Sequence, residues 1–199
     1  MSSIFYLRVS DTLELRQRMP DDAEELFALI DVNRERLKEW LPWLDHCTGV
    51  EHTRNNIEAS LKQAEAGTGL ALCLWHDGRI AGVGGYNTID CANLTGRIGY
   101  WLGAEFEGRG LMTAANRALV AYGFSELKLR RQTIYAATGN ARSRAVAERL
   151  GFRLEGLLHE AEQLYGRSVD HAIYAQTASE WSPANQATDR PQLGIHSVT

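Results

Sequence analysis

Apolar positions alternate at the start of the chain, fall into helical spacing, and then alternate again, and these changes of period mark out its elements. FYLRV (5–9) and LELRQ (13–17), separated by Ser-Asp-Thr, predict two short strands around a turn. Pro20-Asp21-Asp22 predicts a helix start, because proline suits a first turn and carboxylates suit the positive dipole end; Leu26, Leu29 and Ile30 keep the helical spacing. A second short helix ends near Trp40, and a third runs from about Glu51 to Ala66 and stops at Gly67.

The period then shortens. Residues 70–89, LALCLWHDGRIAGVGGYNTI, read as two strands joined by an Asp77-Gly78 turn. A polar loop, CANLTG, precedes a strand from Arg97 to Leu102, a helix from Thr113 to about Leu127, a strand over 132–137 and a helix closing at Gly151. The stretch up to Trp181 reads as two more strands around Tyr165-Gly166. Hairpins followed by a strand, helix, strand, helix, strand run imply an α/β (α+β) class with a mixed, mostly antiparallel sheet carrying helices on its faces. At 199 residues and 44% hydrophobic content the pattern fits one domain over 1–181. The final SPANQATDRPQLGIHSVT, 182–199, is polar, contains proline and lacks periodicity, as a flexible C-terminal tail would.

Composition narrows the function classes. A formal charge of −4, from 21 basic and 25 acidic residues without a basic cluster, argues against a direct nucleic-acid binder. The N-terminus has no apolar signal region and no run suits a membrane span, so a cytoplasmic protein is expected. Cys47, Cys73 and Cys91 lack CxxC spacing and are expected as small buried hydrophobes; the six histidines form no HExxH pair, so no metal site is expected.

The stretch with chemical content is Phe106 to Leu119, FEGRGLMTAANRAL, where Gly108 and Gly110 flank Arg109 at the mouth of a helix. A helix N-terminus with free N–H groups is an anion site; a tight surface turn is the plainer alternative. Gly108, Gly110 and Thr113 nearly satisfy a dinucleotide fingerprint, but the next strand ends in Ala136-Ala137-Thr138 without the acidic residue that would hold a ribose. Gly110-Leu-Met-Thr113 also lacks the lysine of a nucleotide-triphosphate loop. A pyrophosphate cradle in mid-sheet survives, followed by Asn140-Ala-Arg-Ser143 and Leu150-Gly-Phe152.

In these residues the chain resembles the GCN5-related N-acetyltransferases (GNAT), which bind acetyl-coenzyme A. IGYWL, EGRGLMTAA, NARSRAVAERLGF and FRLEGLLHEAEQL are similar to the subgroup that acetylates Ser or Ala α-amino groups of ribosomal proteins. The resemblance runs from about Leu7 to Trp181 and departs from the family at Glu107, where a basic or amide residue is usual, and at Met112, where a small one is. It implies the GNAT fold, with splayed strands that take pantetheine beside Tyr100 and Leu102. Gly108, Arg109, Gly110, Leu111, Met112 and Thr113 would then face the pyrophosphate, and Asn140 would serve both as helix cap and as coenzyme contact. It also implies acetyl-CoA as co-substrate, a protein N-terminus or small amine as acceptor, and a homodimer.

Within that resemblance Glu162 is the candidate general base, with Glu160 an alternative of the same strand parity, and Ser143 the candidate general acid. Without any coenzyme role Asn140 caps a helix and Ser143 is its N3 residue. Arg142 and Arg144 are read as phosphate contacts or solvated helix-start arginines. Trp40 and Trp43, beside Pro42, are candidate acceptor-binding residues; with Trp101 they equally suit a core. The functions that remain are N-terminal acetylation, acetylation of a small amine, antibiotic or aminoacylated toxin, and a non-catalytic acyl-CoA sensor.

Overall fold

The structure, a computed structural model, describes residues 3–181 and 192–197, with backbone alone at 3–4 and 192–197. Its elements are β1 (Ser3–Arg8), β2 (Leu13–Gln17), α1 (Ala23–Val32), α2 (Arg34–Lys38), α3 (Val50–Glu65), β3 (Leu70–His76), β4 (Arg79–Asp90), β5 (Thr95–Leu102), α4 (Leu111–Ser125), β6 (Arg131–Ala137), α5 (Ala141–Arg149), β7 (Arg153–Leu164), β8 (Arg167–Thr177) and β9 (Gln192–Ser197). The strands form one sheet in the order β7-β8-β6-β5-β4-β3-β2-β1-β9, and only β5 and β6 run parallel.

The turn chemistry explains the hairpins. Asp77 and Gly78 take φ 49° and 76°, and Tyr165 and Gly166 take φ 49° and 84°, the positive values that match the twist of paired strands. Boundaries shift where pairing or capping outruns the apolar pattern. β5 begins at Thr95 because Thr95 pairs with Asp90 across the turn, so the expected loop supplies two strand residues. Pro20–Asp22 is a 3-10 turn closed by the Met19 N–H donating to Asp22 Oδ2 at 2.7 Å, and α1 proper starts at Ala23. Of the tail set apart at 182–199, residues 192–197 are described, and their backbone pairs antiparallel with β1. Cys47 and Cys73 are buried, whereas Cys91 is exposed: it falls in the tight β4–β5 turn, its Sγ 3.4 Å from Gly67 O.

Alternation along β4 and β5 divides the helices between two faces. Tyr86 faces α4, and Tyr100 faces the start of α5, through the contacts Tyr86–Leu119 and Tyr100–Ser143. On the opposite face, a Cβ added at Gly103 would lie 2.8 Å from Leu29 of α1, and the Arg18 side chain reaches Asn56 of α3. Leu26, Ile57, Leu72, Leu74 and Leu119 are fully buried between these layers. Burial of each such side chain contributes about 1.5–3 kcal/mol. Among the described residues, no helix is long and apolar enough to cross a membrane.

One polar junction locks α4 to the sheet. The buried Tyr86 hydroxyl lies 2.7 Å from Gln132 Oε1 of β6 and 3.0 Å from Leu119 O, while Gln132 Nε2 donates to Val120 O at 2.9 Å. Gly123 is the residue this approach requires, since a Cβ there would sit 2.0 Å from the Tyr86 hydroxyl. Burial pushes that hydroxyl well above the usual tyrosine pKa, so it stays a neutral donor. Tyr86→Phe removes the donor and leaves a buried amide oxygen unsatisfied. It is expected to lower stability by about 1–3 kcal/mol, seen as a lower urea midpoint at unchanged slope.

Candidate active site

β5 and β6 pair from Thr95 opposite Arg131 to Ile98 opposite Ile134, and then separate. Beyond that point β5 continues to Leu102 against β4, and β6 continues to Ala137 against β8. The Gly103 N–H donates to Ala81 O at 2.8 Å, and by antiparallel alternation Trp101 and Gly99 also bond β4. Tyr100 and Leu102 therefore turn their backbone groups to the open side of β5. Leu102 O already accepts from Arg36 Nη2 at 2.5 Å, so one end of the gap is held by α2.

The mouth of α4 lines the same gap. Gly108 and Gly110 have φ 75° and 74°, the left-handed region that favours glycine, and an added Cβ at either would meet nothing within 4 Å. Glycine is therefore set here by backbone conformation, and open space lies over both residues. The Ala114 N–H bonds Gly110 O at 3.0 Å, which leaves the N–H groups of Leu111, Met112 and Thr113 without intrahelical acceptors. The first turn of α4 carries no acidic side chain, so the positive dipole end is uncompensated. Glu107 does not supply that charge, because it is ion-paired with Arg36 of α2 at 2.6 Å and with Arg142.

Asn140 caps α5, its Oδ1 accepting from the Ser143 N–H at 3.0 Å. That cap holds Ser143 beside Tyr100: the Tyr100 hydroxyl donates to Ser143 O at 2.9 Å, and Ser143 Oγ lies 3.3 Å from the Tyr100 oxygen. Burial pushes the Tyr100 pKa up to about 12.

Across the gap, Glu162 Oε2 lies 3.3 Å from His171 Nε2, and both line the cleft. Glu160 does not. Between Leu158, paired with His171, and Glu162, paired with Val169, three β7 residues bulge against the single Asp170. Glu160 sits in that bulge at φ 50°, its N–H donating to Asp170 Oδ1 at 2.8 Å, with its side chain exposed. The bulge takes Glu160 out of the alternation that made the two glutamates equivalent in the sequence, while Glu162 keeps the face of Leu158.

Trp40, Trp43 and Trp101 are half-buried and line the cleft, with the Trp43 and Trp101 rings 6.5 Å apart. The β7–β8 turn clasps this wall. Tyr165 donates to Leu41 O at 2.9 Å, Arg167 donates to Glu39 O, and the Arg167 guanidinium lies 5.9 Å from the Trp40 ring centre. Tyr100, Leu102, Gly108, Gly110, Leu111, Met112, Thr113, Asn140 and Ser143 share the same cleft of about 1930 Å³. Arg109 does not line it; its guanidinium lies 6.0 Å from the Phe106 ring centre. Arg144 is held structurally, by Tyr174 and by Thr138 O, each at 3.0 Å.

Arg36 and His171 were not singled out from the sequence. Nothing local marks either, since Arg36 acts across 66 residues and His171 through the β7–β8 register. Among the described residues, no three His, Cys, Asp or Glu side chains form a metal set.

Comparison with known proteins agrees with this geometry. The family model described as an acetyltransferase (GNAT) domain matches residues 12–153. The ribosomal-protein-serine acetyltransferase of Escherichia coli (strain K12) is 31% identical over 170 residues, covering 85% of this chain and 95% of its own. Among solved structures, the ribosomal L7/L12 alpha-N-protein acetyltransferase RimL in complex with coenzyme A is 32% identical with a TM-score of 0.84, covering 86% of this chain and 97% of its own. The microcin C7 self-immunity acetyltransferase MccE, in complex with acetyl-CoA and AMP, is 35% identical with a TM-score of 0.81, covering 85% of this chain and 94% of its own. With the splayed sheet, the open α4 mouth and a family match over most of its length, the chain belongs to the GNAT family and is an acetyl-CoA-dependent N-acetyltransferase.

Proposed function

We propose that the acceptor is the free α-amino group of a protein N-terminus, a ribosomal protein by kinship, acetylated by direct attack within a ternary complex. The observation that carries this reading is the single cleft in which the α4 mouth and the open edge of β5 face Glu162 and His171. At about 1930 Å³ it exceeds the roughly 300–1,000 Å³ of an ordinary ligand pocket, as two substrates require. The free N–H groups of Leu111 to Thr113 suit a pyrophosphate, and the open edge of β5 at Tyr100 and Leu102 suits pantetheine added as a strand.

The chemistry follows from the acceptor. An α-amine with pKa near 8 is about a quarter neutral at neutral-to-slightly-alkaline pH, whereas a lysine is about a thousandth neutral. The neutral nitrogen attacks the thioester carbonyl carbon, and a β5 N–H polarises the oxygen. Glu162 takes the proton the nitrogen sheds, directly or through one water, and His171 orients the carboxylate. As the carbon–sulfur bond breaks, Ser143, beside Tyr100, gives the departing thiolate its proton. Trp40 and Trp43 line the acceptor wall.

A second reading has one specific support, the 35% identity to an acetyltransferase solved with AMP. It makes the acceptor a small amine linked to a nucleotide.

Free-thiol release from acetyl-CoA separates the two. Turnover is expected with Ser- or Ala-initiated peptides, and not with lysine peptides whose N-termini are blocked; turnover on small amines alone overturns the proposal. Glu162→Gln is expected to lower kcat by about 10²- to 10⁴-fold with the KM for acetyl-CoA unchanged, while Glu160→Gln keeps the wild-type kcat. Gly110→Ala strains the left-handed residue by about 1–2 kcal/mol. Calorimetry should then show acetyl-CoA binding weakened by about tenfold.

A further inference from the structure

Arg18 follows the end of β2 and lines the cleft with only 9% of its surface exposed. Among the described residues, its one side-chain hydrogen bond is to the neutral amide of Asn56, Nη1 to Oδ1 at 3.1 Å, and its buried Nε has no partner. No carboxylate among the described residues lies within ion-pair distance of it. Burial pushes the guanidinium pKa down and outweighs the opposing influences of Cys73 and Asp22. A buried guanidinium without a counter-ion is costly unless a ligand completes it.

Its place in the sheet relates it to the reacting groups. The Arg18 N–H points to Ala71 O at 3.5 Å, Ala71 pairs with Gly85, and Gly85 pairs with Gly99, the residue before Tyr100. These small residues share one face, opposite the α4 side, on which Ala71 and Gly99 line the cleft together with Asn56, Gln63 and Asn87. Three strand spacings separate Arg18 from Gly99, about 14 Å, which an extended peptide covers in about four residues.

We infer that Arg18 is an anion-binding specificity residue of the acceptor groove, selecting acceptors with a carboxylate or phosphate about four residues' length from the amine. This rests on the acceptor reading above for the direction of the groove, while the unpaired buried charge stands without it. Arg18 supplies the charge and two donors, and Asn56 fixes the guanidinium so that Nε and the free Nη2 face one oxyanion. The oxyanion has two sources of one chemistry, an acidic side chain near a peptide N-terminus or the phosphate of a nucleotide-linked amine.

The test uses the full chain and pairs of Ser-initiated peptides identical except for Asp or Asn at the third, fourth or fifth residue, with AMP titrated calorimetrically in parallel. The wild type is expected to favour one Asp peptide by about tenfold or more in kcat/KM, mainly through KM. Arg18→Met is expected to bring that ratio to about one. Asn56→Asp, at an exposed position, gives the guanidinium an internal partner without emptying the buried site, and is expected to abolish the preference too. AMP binding lost in Arg18→Met, with no peptide preference, assigns the anion to a phosphate. Peptides acetylated equally by all three proteins, with AMP heats unchanged, overturn the inference and leave the N-terminal reading standing. Absence of peptide acetylation with Arg18-dependent AMP binding does the reverse.

Discussion

The end of pairing between β5 and β6 after Ile98 and Ile134 is the constraint on which the site depends. Backbone N–H and C=O groups inside a protein need partners, and an open gap in mid-sheet strands two rows of them. Here the groups are divided: β4 takes Trp101 and Gly99, Arg36 takes Leu102 O, and the remaining β5 groups face the cleft. The gap is kept open from both ends, by the Tyr100–Ser143 contacts to α5 and by α4, which enters the sheet through a glycine pair whose conformation exposes its first N–H groups. The fold thus leaves these donors unpaired and already in place, so that a ligand entering the cleft would need little reorganisation.

Charge is arranged with the same economy. Glu107 sits where an anion would oppose a pyrophosphate, yet it is tied to Arg36 and Arg142, so the mouth of α4 stays positive. The same Arg36 joins α2, and through it the tryptophan wall, to the end of β5. Arg18 is the opposite case, a buried guanidinium that no carboxylate completes. One arginine has its charge satisfied within the fold and holds the cleft together; the other keeps its charge for what enters.

The β7–β8 hairpin brings the last groups into place. Its three-residue bulge leaves Glu160 outside while Glu162 stands beside His171, and its turn reaches Leu41 and Glu39 beside the tryptophans. Bulges re-aim side chains in this way at functional edges of sheets.

By itself the sequence determined the order and type of the elements from β1 to β8, the two tight turns at Asp77-Gly78 and Tyr165-Gly166, the glycine pair at a helix mouth and the Asn140 cap. These depend on period, on positive φ and on contacts a few residues long, all of which are written locally. The resemblance carried in those local motifs also gave the family. Only the tertiary structure decided which glutamate faces the cleft, because Glu160 falls inside a three-residue bulge at φ 50°, where strand parity no longer places its side chain, and the bulge leaves no local mark. It alone joined Arg36 to Leu102, His171 to Glu162, and Arg18 to a cleft that Ala71 and Gly99 also line. Pairings between residues far apart in the chain are set by the register of the whole sheet, and no window of sequence contains that register.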